Sequence, residues 1–142
     1  MTKDRGENIQ MGPVWDHNLS MGIQFHRPQR FDRWYFRQRY AAHGWIRRLY
    51  RIPEFRKKMA ERWRSLRGTL ISNKQLQARL EEHAAPFREA ARRNFEKFDI
   101  LRLKTPAFNY PTPVTTDYEG QLLFLRQWLI NRAEWMDQEL GA

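Results

Sequence analysis

The sequence contains no cysteine. This excludes disulfide bonds, thiolate zinc sites and a cysteine nucleophile. It also lacks the run of about 20 apolar residues that a membrane-spanning helix needs, its first residues are too charged for a signal peptide, and it has no glycine-rich phosphate loop. The compartment stays open: a cytoplasmic location fits, and so does a cell-surface or secreted one if the chain is part of a longer precursor.

The charge of the chain is uneven. Its 142 residues, about the size of one domain, hold 26 basic and 16 acidic side chains for a net of +10. Residues 1–71 carry 16 of the basic and 6 of the acidic groups, whereas residues 72–142 carry ten of each. A basic half attracts nucleic acid, phosphate groups, an anionic membrane or an acidic protein. A solvated, arginine-rich surface explains the same charge, and we weigh that interpretation at least as heavily.

The chain divides into two regions with different patterns of apolar and helix-breaking residues. Residues 1–43 contain five helix-breaking residues and only a short apolar alternation, so we predict a strand and loop region. From Gly44 onward apolar residues recur at steps of three and four, which predicts helices. We therefore predict a mainly α chain: a loop region over 1–43 followed by a helical bundle over 44–142, within a single domain.

The predicted helices follow from caps and breakers. A short helix places Trp45, Leu49 and Ile52 on one face, and a second runs from about 53, where proline suits the first turn, to Gly68. A third spans 73–98 behind a Ser72 cap and either kinks or divides near Ala85 because Pro86 interrupts it. After a proline-containing loop over 99–115, the last helix runs from about 117 to 139. Its predicted capping box consists of Thr116 and Glu119.

The loop before Gly22 carries a candidate metal site. Asp16 and Asn18 are two positions apart, so in an extended stretch both would project to the same side. Both offer oxygen, which a hard cation such as Mg²⁺ requires. Gly22 would permit a tight turn just beyond them. From the pattern alone, an Asx-turn in which the side chains satisfy their own backbone is the stronger interpretation.

The other candidate residues give less evidence of a catalytic or binding role. His17, His26, His43 and His83 are not at metal-ligand spacing, and the serines lack a neighbouring base. Residues 26–39 mix arginines with aromatics, including Arg27, Arg30, Arg33, Arg37 and Arg39, a composition that could bind single-stranded nucleic acid. We favour docking of these aromatics on the helices, because no recognised nucleic-acid motif accompanies the charge. Nucleic acid is therefore not an expected partner.

Four stretches, taken in order, resemble the CotH kinase-like family of spore-coat proteins. The first is Lys3–Gly22, which is similar to the family's Trp-Asp-x-Asp region. Further motifs of the family are matched by Gly44–Trp45 followed by Pro53–Glu54–Phe55, and then by Arg62–Trp63. The last is Trp128–Asp137, which resembles the closing helix with its Arg-x-x-Trp-hydrophobic-Asp ending. The resemblance covers about residues 3 to 140.

The resemblance implies a fold and an activity. It suggests the C-terminal helical subdomain of a protein-kinase-like α+β fold, using ATP with Mg²⁺ or Mn²⁺ to phosphorylate proteins. Asp16 would be a metal ligand, and Asn18, which stands where the family usually has a second Asp, an auxiliary uncharged one. Phosphoryl transfer needs several parts positioned together.

Family domains are about twice as long as this chain, so the match implies a C-terminal part. The nucleotide-covering lobe would lie elsewhere, and we expect no kinase activity from this chain alone. Expected partners are that lobe or a protein substrate, and leftover apolar surface would favour self-association. The alternative is a non-catalytic, adhesin-type protein that uses a basic aromatic surface on an acidic partner.

Overall fold

The computed structural model describes residues 3–10, 20–22, 30–37, 44–101 and 115–141. They form five α-helices and two short 3-10 helices, Tyr35–Arg37 and Ala85–Phe87. No β-strand is assigned within these ranges, where Gln10 makes only an isolated bridge. The predicted mainly helical fold is confirmed. The α-helices are α1 (Gly44–Tyr50), α2 (Pro53–Arg67), α3 (Asn73–Ala84), α4 (Arg88–Lys97) and α5 (Tyr118–Leu140).

Helix α2 has the predicted boundaries. Pro53 stands in its first turn, where the missing amide would have had no partner in any case. Gly68 caps the other end, and its backbone amide donates to the Arg64 carbonyl at 3.0 Å. The prediction of a helix over about 53–68 is confirmed.

The region around Pro86 divides the predicted third helix into two. Helix α3 begins behind Ser72, whose hydroxyl accepts the Gln75 amide at 3.2 Å, as predicted for a cap. It ends at Ala84, and the 3-10 helix Ala85–Phe87 leads into α4. Of the two predicted alternatives, a continuous kinked helix is wrong and a division near Ala85 is confirmed. The proline lacks the amide that would continue the ladder.

The cap of α5 differs from the prediction. Asp117, not Thr116, is the N-cap residue, and its carboxylate accepts the Gly120 amide at 2.8 Å. The Thr116 hydroxyl instead contacts the Asp117 carboxylate at 3.2 Å. A carboxylate is the stronger cap here because it also complements the positive end of the helix dipole. At the other end Gly141 takes the left-handed conformation (φ 63°) that closes many helices.

Helix α5 is the centre of the packing. Helices α2, α3 and α4 all contact it, while α1 packs on α2 and on the 3-10 helix at residues 35–37. The buried apolar residues of the described part are Tyr50, Ala84 and Ala133. No large side chain there is fully buried, so the helices meet through half-buried side chains.

Two predicted apolar faces are only partly covered. Trp45, Leu49 and Ile52 were predicted to share one helical face, yet Trp45 and Ile52 are 44% and 45% exposed. Tyr50 is the residue of α1 that is buried. In the third predicted helix, the recurring apolar residues include Phe87 and Phe98, which are 62% and 51% exposed. Phe87 lies in the 3-10 helix, and Phe98 follows the last residue of α4.

Helices α3, α4 and α5 are joined at the surface by arginine–carboxylate pairs. Arg88 donates to Glu81 at 2.6 Å and to Glu119 at 2.7 Å. On α4, Arg92 donates to Glu89 at 2.8 Å. The hydrogen bond from Arg92 lowers the pKa of Glu89 from 4.5 to about 2, and that from Arg88 lowers the pKa of Glu81.

These shifts predict acid sensitivity. A carboxylate whose pKa is lower in the folded chain stabilises it above its unfolded pKa, and this stabilisation disappears as the pH falls through the folded pKa. We therefore expect the melting temperature to fall between about pH 4.5 and pH 2. The double variant Glu81→Gln/Glu89→Gln should show a shallower fall over this interval.

Thermal melts at stepped pH would check this acid sensitivity. Glu82→Gln is the matched control, because Glu82 is exposed and forms no ion pair with another described residue. An equally steep fall in the double variant would contradict the assignment to these two carboxylates.

Candidate metal-binding loop and its anchor on helix α5

The predicted ligands Asp16 and Asn18 lie outside the described residues, as do His17, His26 and His43. Their role as metal ligands stays a prediction. Among the described residues, no group of three or more His, Asp or Glu side chains is placed to hold a metal ion. His83, the remaining histidine, is exposed on α3.

The structure describes the end of the motif loop, four to six positions beyond the predicted ligands. Gly22 is buried and has φ of 96°, a backbone conformation that side chains other than glycine rarely adopt. A Cβ at this position would lie 2.9 Å from Cε1 of Phe124 and 3.1 Å from Cδ1 of Trp128. The predicted turn at Gly22 is confirmed, and its contacts fix the end of the loop against α5.

A second N-terminal stretch, residues 30–37, also packs against α5 and is called here the docked segment. The guanidinium of Arg132 on α5 donates from one nitrogen to the carbonyl of Phe31 at 2.6 Å and to that of Arg33 at 2.7 Å. Its carbon lies 4.6 Å from the ring centre of Trp135 and 5.1 Å from that of Trp34. Burial lowers the pKa of Arg132, although an arginine stays charged in proteins. One side chain thus holds the backbone and an aromatic ring of the docked segment.

Aromatic side chains complete this attachment. Trp34 meets Trp135 edge to face at 5.0 Å between ring centres and stacks on Phe36 at 5.6 Å. Phe36 in turn lies 5.1 Å from the buried Tyr50 of α1. The Trp34 indole donates to Glu139 at 3.0 Å. The prediction that these aromatics dock on the helices is confirmed for the described residues.

Two of the predicted basic groups are also engaged. Arg30 forms an ion pair with Asp32 and lowers the pKa of that carboxyl. Arg37 lies 4.8 Å over the Tyr50 ring and 3.7 Å from Glu139. Arg27 and Arg39 lie outside the described residues. The docked segment is therefore a packed element and not an open basic strand.

The closing motif of α5 has a second structural role at Asp137. Its carboxylate accepts the Trp63 indole N–H at 2.7 Å and two donors of the Arg67 guanidinium at 2.7 to 3.0 Å. Another Arg67 nitrogen donates to the Ile71 carbonyl at 2.8 Å. We call this group the Asp137 cluster, and it fastens α2 and the turn after it to α5.

The sequence did not reveal these roles. Arg132, Trp135 and Asp137 belong to a stretch whose spacing indicates only one helix, and their partners lie 70 to 101 positions earlier. The signal that could have found them is the presence of charged residues within an otherwise apolar helical stripe, because a half-buried charge requires a partner.

A comparison with known protein families identifies the family of this chain. The family model described as CotH kinase protein matches residues 2–136. This chain therefore belongs to the CotH kinase protein family. No curated protein and no solved structure matches it significantly. Within the described part, no helix is long and apolar enough to cross a membrane.

Proposed function

We propose that this chain supplies the metal-binding loop and the helical lobe of a CotH-type protein kinase that uses ATP. Asp16 would be the charged metal ligand and Asn18 an auxiliary carbonyl ligand for Mg²⁺ or Mn²⁺. Such an ion, when bound, neutralises the charge of the nucleotide phosphates. The family match supports this proposal because it includes both the loop and the helices.

The observation that carries the proposal is the packing of Gly22 on α5. A ligand loop must hold its oxygens in fixed positions, and rigid attachment to a helix reduces the entropic cost of doing so. Gly22 is only four positions beyond Asn18, and its surroundings leave no space for even a methyl group. The docked segment adds a second attachment to the same helix.

The proposed kinase also requires a second, nucleotide-covering lobe. We further propose that this chain corresponds to the C-terminal part of the family domain and that a nucleotide-covering lobe comes from another segment or chain. Without it the parts needed for phosphoryl transfer are not assembled, and this chain alone should be inactive. The phosphoacceptor would be a protein. Exposed apolar residues such as Phe87 and Leu123 support association with that lobe or with a second copy.

A thermal-shift experiment tests the metal loop. A ligand at about 100 times its Kd stabilises a protein by about 2.7 kcal/mol, or roughly 8 °C for a chain of this size. We expect Mg²⁺ with ATP to raise the melting temperature and Asp16→Ala to abolish that rise. Gly22→Ala should weaken it although both predicted ligands remain.

Asp4→Ala is the control for the metal-loop test, because Asp4 is an exposed carboxylate in the same loop region and precedes the Trp15–Asn18 motif that contains both predicted ligands. It should retain the full rise in melting temperature. A wild-type chain that gives no shift, or one whose shift survives Asp16→Ala, would refute the metal-loop proposal.

A further inference from the structure

Most of the net charge of the chain lies on α1, α2 and the turn that joins them, which together are called here the α1–α2 hairpin. Residues 44–67 contain nine basic and two acidic side chains, a net of +7 out of +10 for the whole chain. The docked segment, which had been the candidate basic surface, is instead packed against α5.

The cations of this hairpin are largely left without carboxylate partners. Elsewhere arginines bind carboxylates closely, as Arg67 binds Asp137 at 2.7 Å and Arg88 binds Glu81 at 2.6 Å. Apart from Arg64, which donates to the Gly141 carbonyl, six exposed cations of the hairpin form no ion pair within the described part of the chain. They are Arg48, Arg51, Arg56, Lys57, Lys58 and Arg62.

Two large apolar side chains stand among these cations. Trp45 and Ile52 are 44% and 45% exposed, and together with Arg48 they follow one another at steps of three and four. Backbone hydrogen bonds from Arg51 to Arg48 and from Ile52 to Leu49 continue the helical turn through this stretch. Tryptophan and arginine are the residues most enriched in the energetic centres of protein interfaces.

The acidic residues of the hairpin indicate which kind of anion fits. Glu54 and Glu61 are seven positions apart on the exposed side of α2, and both are exposed. A uniformly anionic lipid surface or phosphate backbone would be repelled at both points, whereas a polypeptide can place a neutral or basic residue there. Four of these six cations are arginines, whose planar guanidinium binds a carboxylate through paired hydrogen bonds, as Arg67 binds Asp137.

We propose that the exposed face of the α1–α2 hairpin is a docking surface for an acidic polypeptide segment that carries an apolar residue between its carboxylates. Arg48, Lys57 and Arg62 bind the carboxylates, and Trp45 with Ile52 contacts the apolar side chain. The residues of this surface belong to α1, α2 and the turn between them, whereas Gly22 packs against Phe124 and Trp128 of α5. The docking surface is therefore tested independently of the kinase proposal.

Fluorescence anisotropy with the full chain tests this surface. The probe is a fluorescein-labelled polyglutamate peptide interrupted by two leucines, compared with a single-stranded DNA oligonucleotide and with phosphatidylserine-containing vesicles. We expect the peptide to bind most tightly. The variant Arg48→Glu/Lys57→Glu/Arg62→Glu should weaken its binding by about tenfold or more.

The matched control for the docking surface is Lys74→Glu/Arg79→Glu/Arg126→Glu, which makes the same change in charge at exposed cations of α3 and α5. It should keep peptide affinity within about twofold. Trp45→Ala leaves the charge unchanged and should also weaken peptide binding. If the charge-reversal variant has lost its helical circular dichroism signal, the affinity of Trp45→Ala tests the proposal in its place. Equal losses in both triple variants, or tighter binding of the oligonucleotide or the vesicles, would overturn the proposal.

Discussion

Replacing Asp137 by alanine should lower the free energy of unfolding by about 3 kcal/mol. The substitution removes the acceptor for the Trp63 indole and for two donors of Arg67. The side chain of Arg67 is only 16% exposed, so its charge would lose its carboxylate in a place that water reaches poorly and keep only the neutral acceptors of Ile71 and Asn73. The expected fall in melting temperature is roughly 8 to 12 °C for a chain of this size.

Urea titration followed by tryptophan fluorescence measures the Asp137 effect directly. Glu82→Ala is the control, because that carboxylate is exposed and has no ion pair among the described residues; it should change stability by less than about 0.5 kcal/mol. The charge-preserving Asp137→Glu should recover only part of the loss, since its longer side chain displaces the paired hydrogen bonds of Arg67. A loss in Asp137→Ala no larger than in Glu82→Ala would show that the Asp137 cluster contributes little.

Replacing Arg132 by alanine should release the docked segment from α5. The variant loses both hydrogen bonds to the Phe31 and Arg33 carbonyls and both contacts with the tryptophan rings. We expect a loss of about 2 kcal/mol. The larger effect is local: trypsin should cleave after Arg30, Arg33 or Arg37 several-fold faster, because protease sites become accessible when a segment opens.

Limited proteolysis with mass spectrometry of the first fragments checks the release of the segment. Arg132→Lys keeps the charge but lacks the planar guanidinium that binds two carbonyls while stacking on a ring, so its cleavage should be intermediate. Arg79→Ala, an exposed arginine of α3, should leave cleavage in the docked segment unchanged. If Arg132→Ala and the wild type were cut at equal rates in this segment, docking would not depend on Arg132.

The sequence predicted local structure well where one residue type has a single strong preference. Pro53 and Gly68 set the ends of α2, and Ser72 and Pro86 set the ends of α3. The predicted N-cap of α5 was wrong by one residue, because Thr116 and Asp117 are both good caps and only the folded backbone decides between them.

The candidate site was less predictable, for a physical reason. Helical periodicity indicates which residues share a face but not what covers that face. It therefore could not show that Trp45 is exposed or that Trp34 packs on Trp135. Charged residues within an apolar stripe, such as Arg132, take partners about 100 positions away, and no local pattern encodes that pairing. Asp16 and Asn18 stay predictions, supported by the anchored turn at Gly22.

The central position of α5 has a consequence for biosynthesis. Hydrogen bonds to this helix come from residues 31 to 105 positions earlier, among them Trp34, Arg67 and Arg88. Because α5 is translated after the other described helices, none of these attachments can form until it has emerged from the ribosome. Until then the nascent chain exposes its tryptophans and its half-covered helices to solvent, and chains in this state depend on chaperones to avoid aggregation.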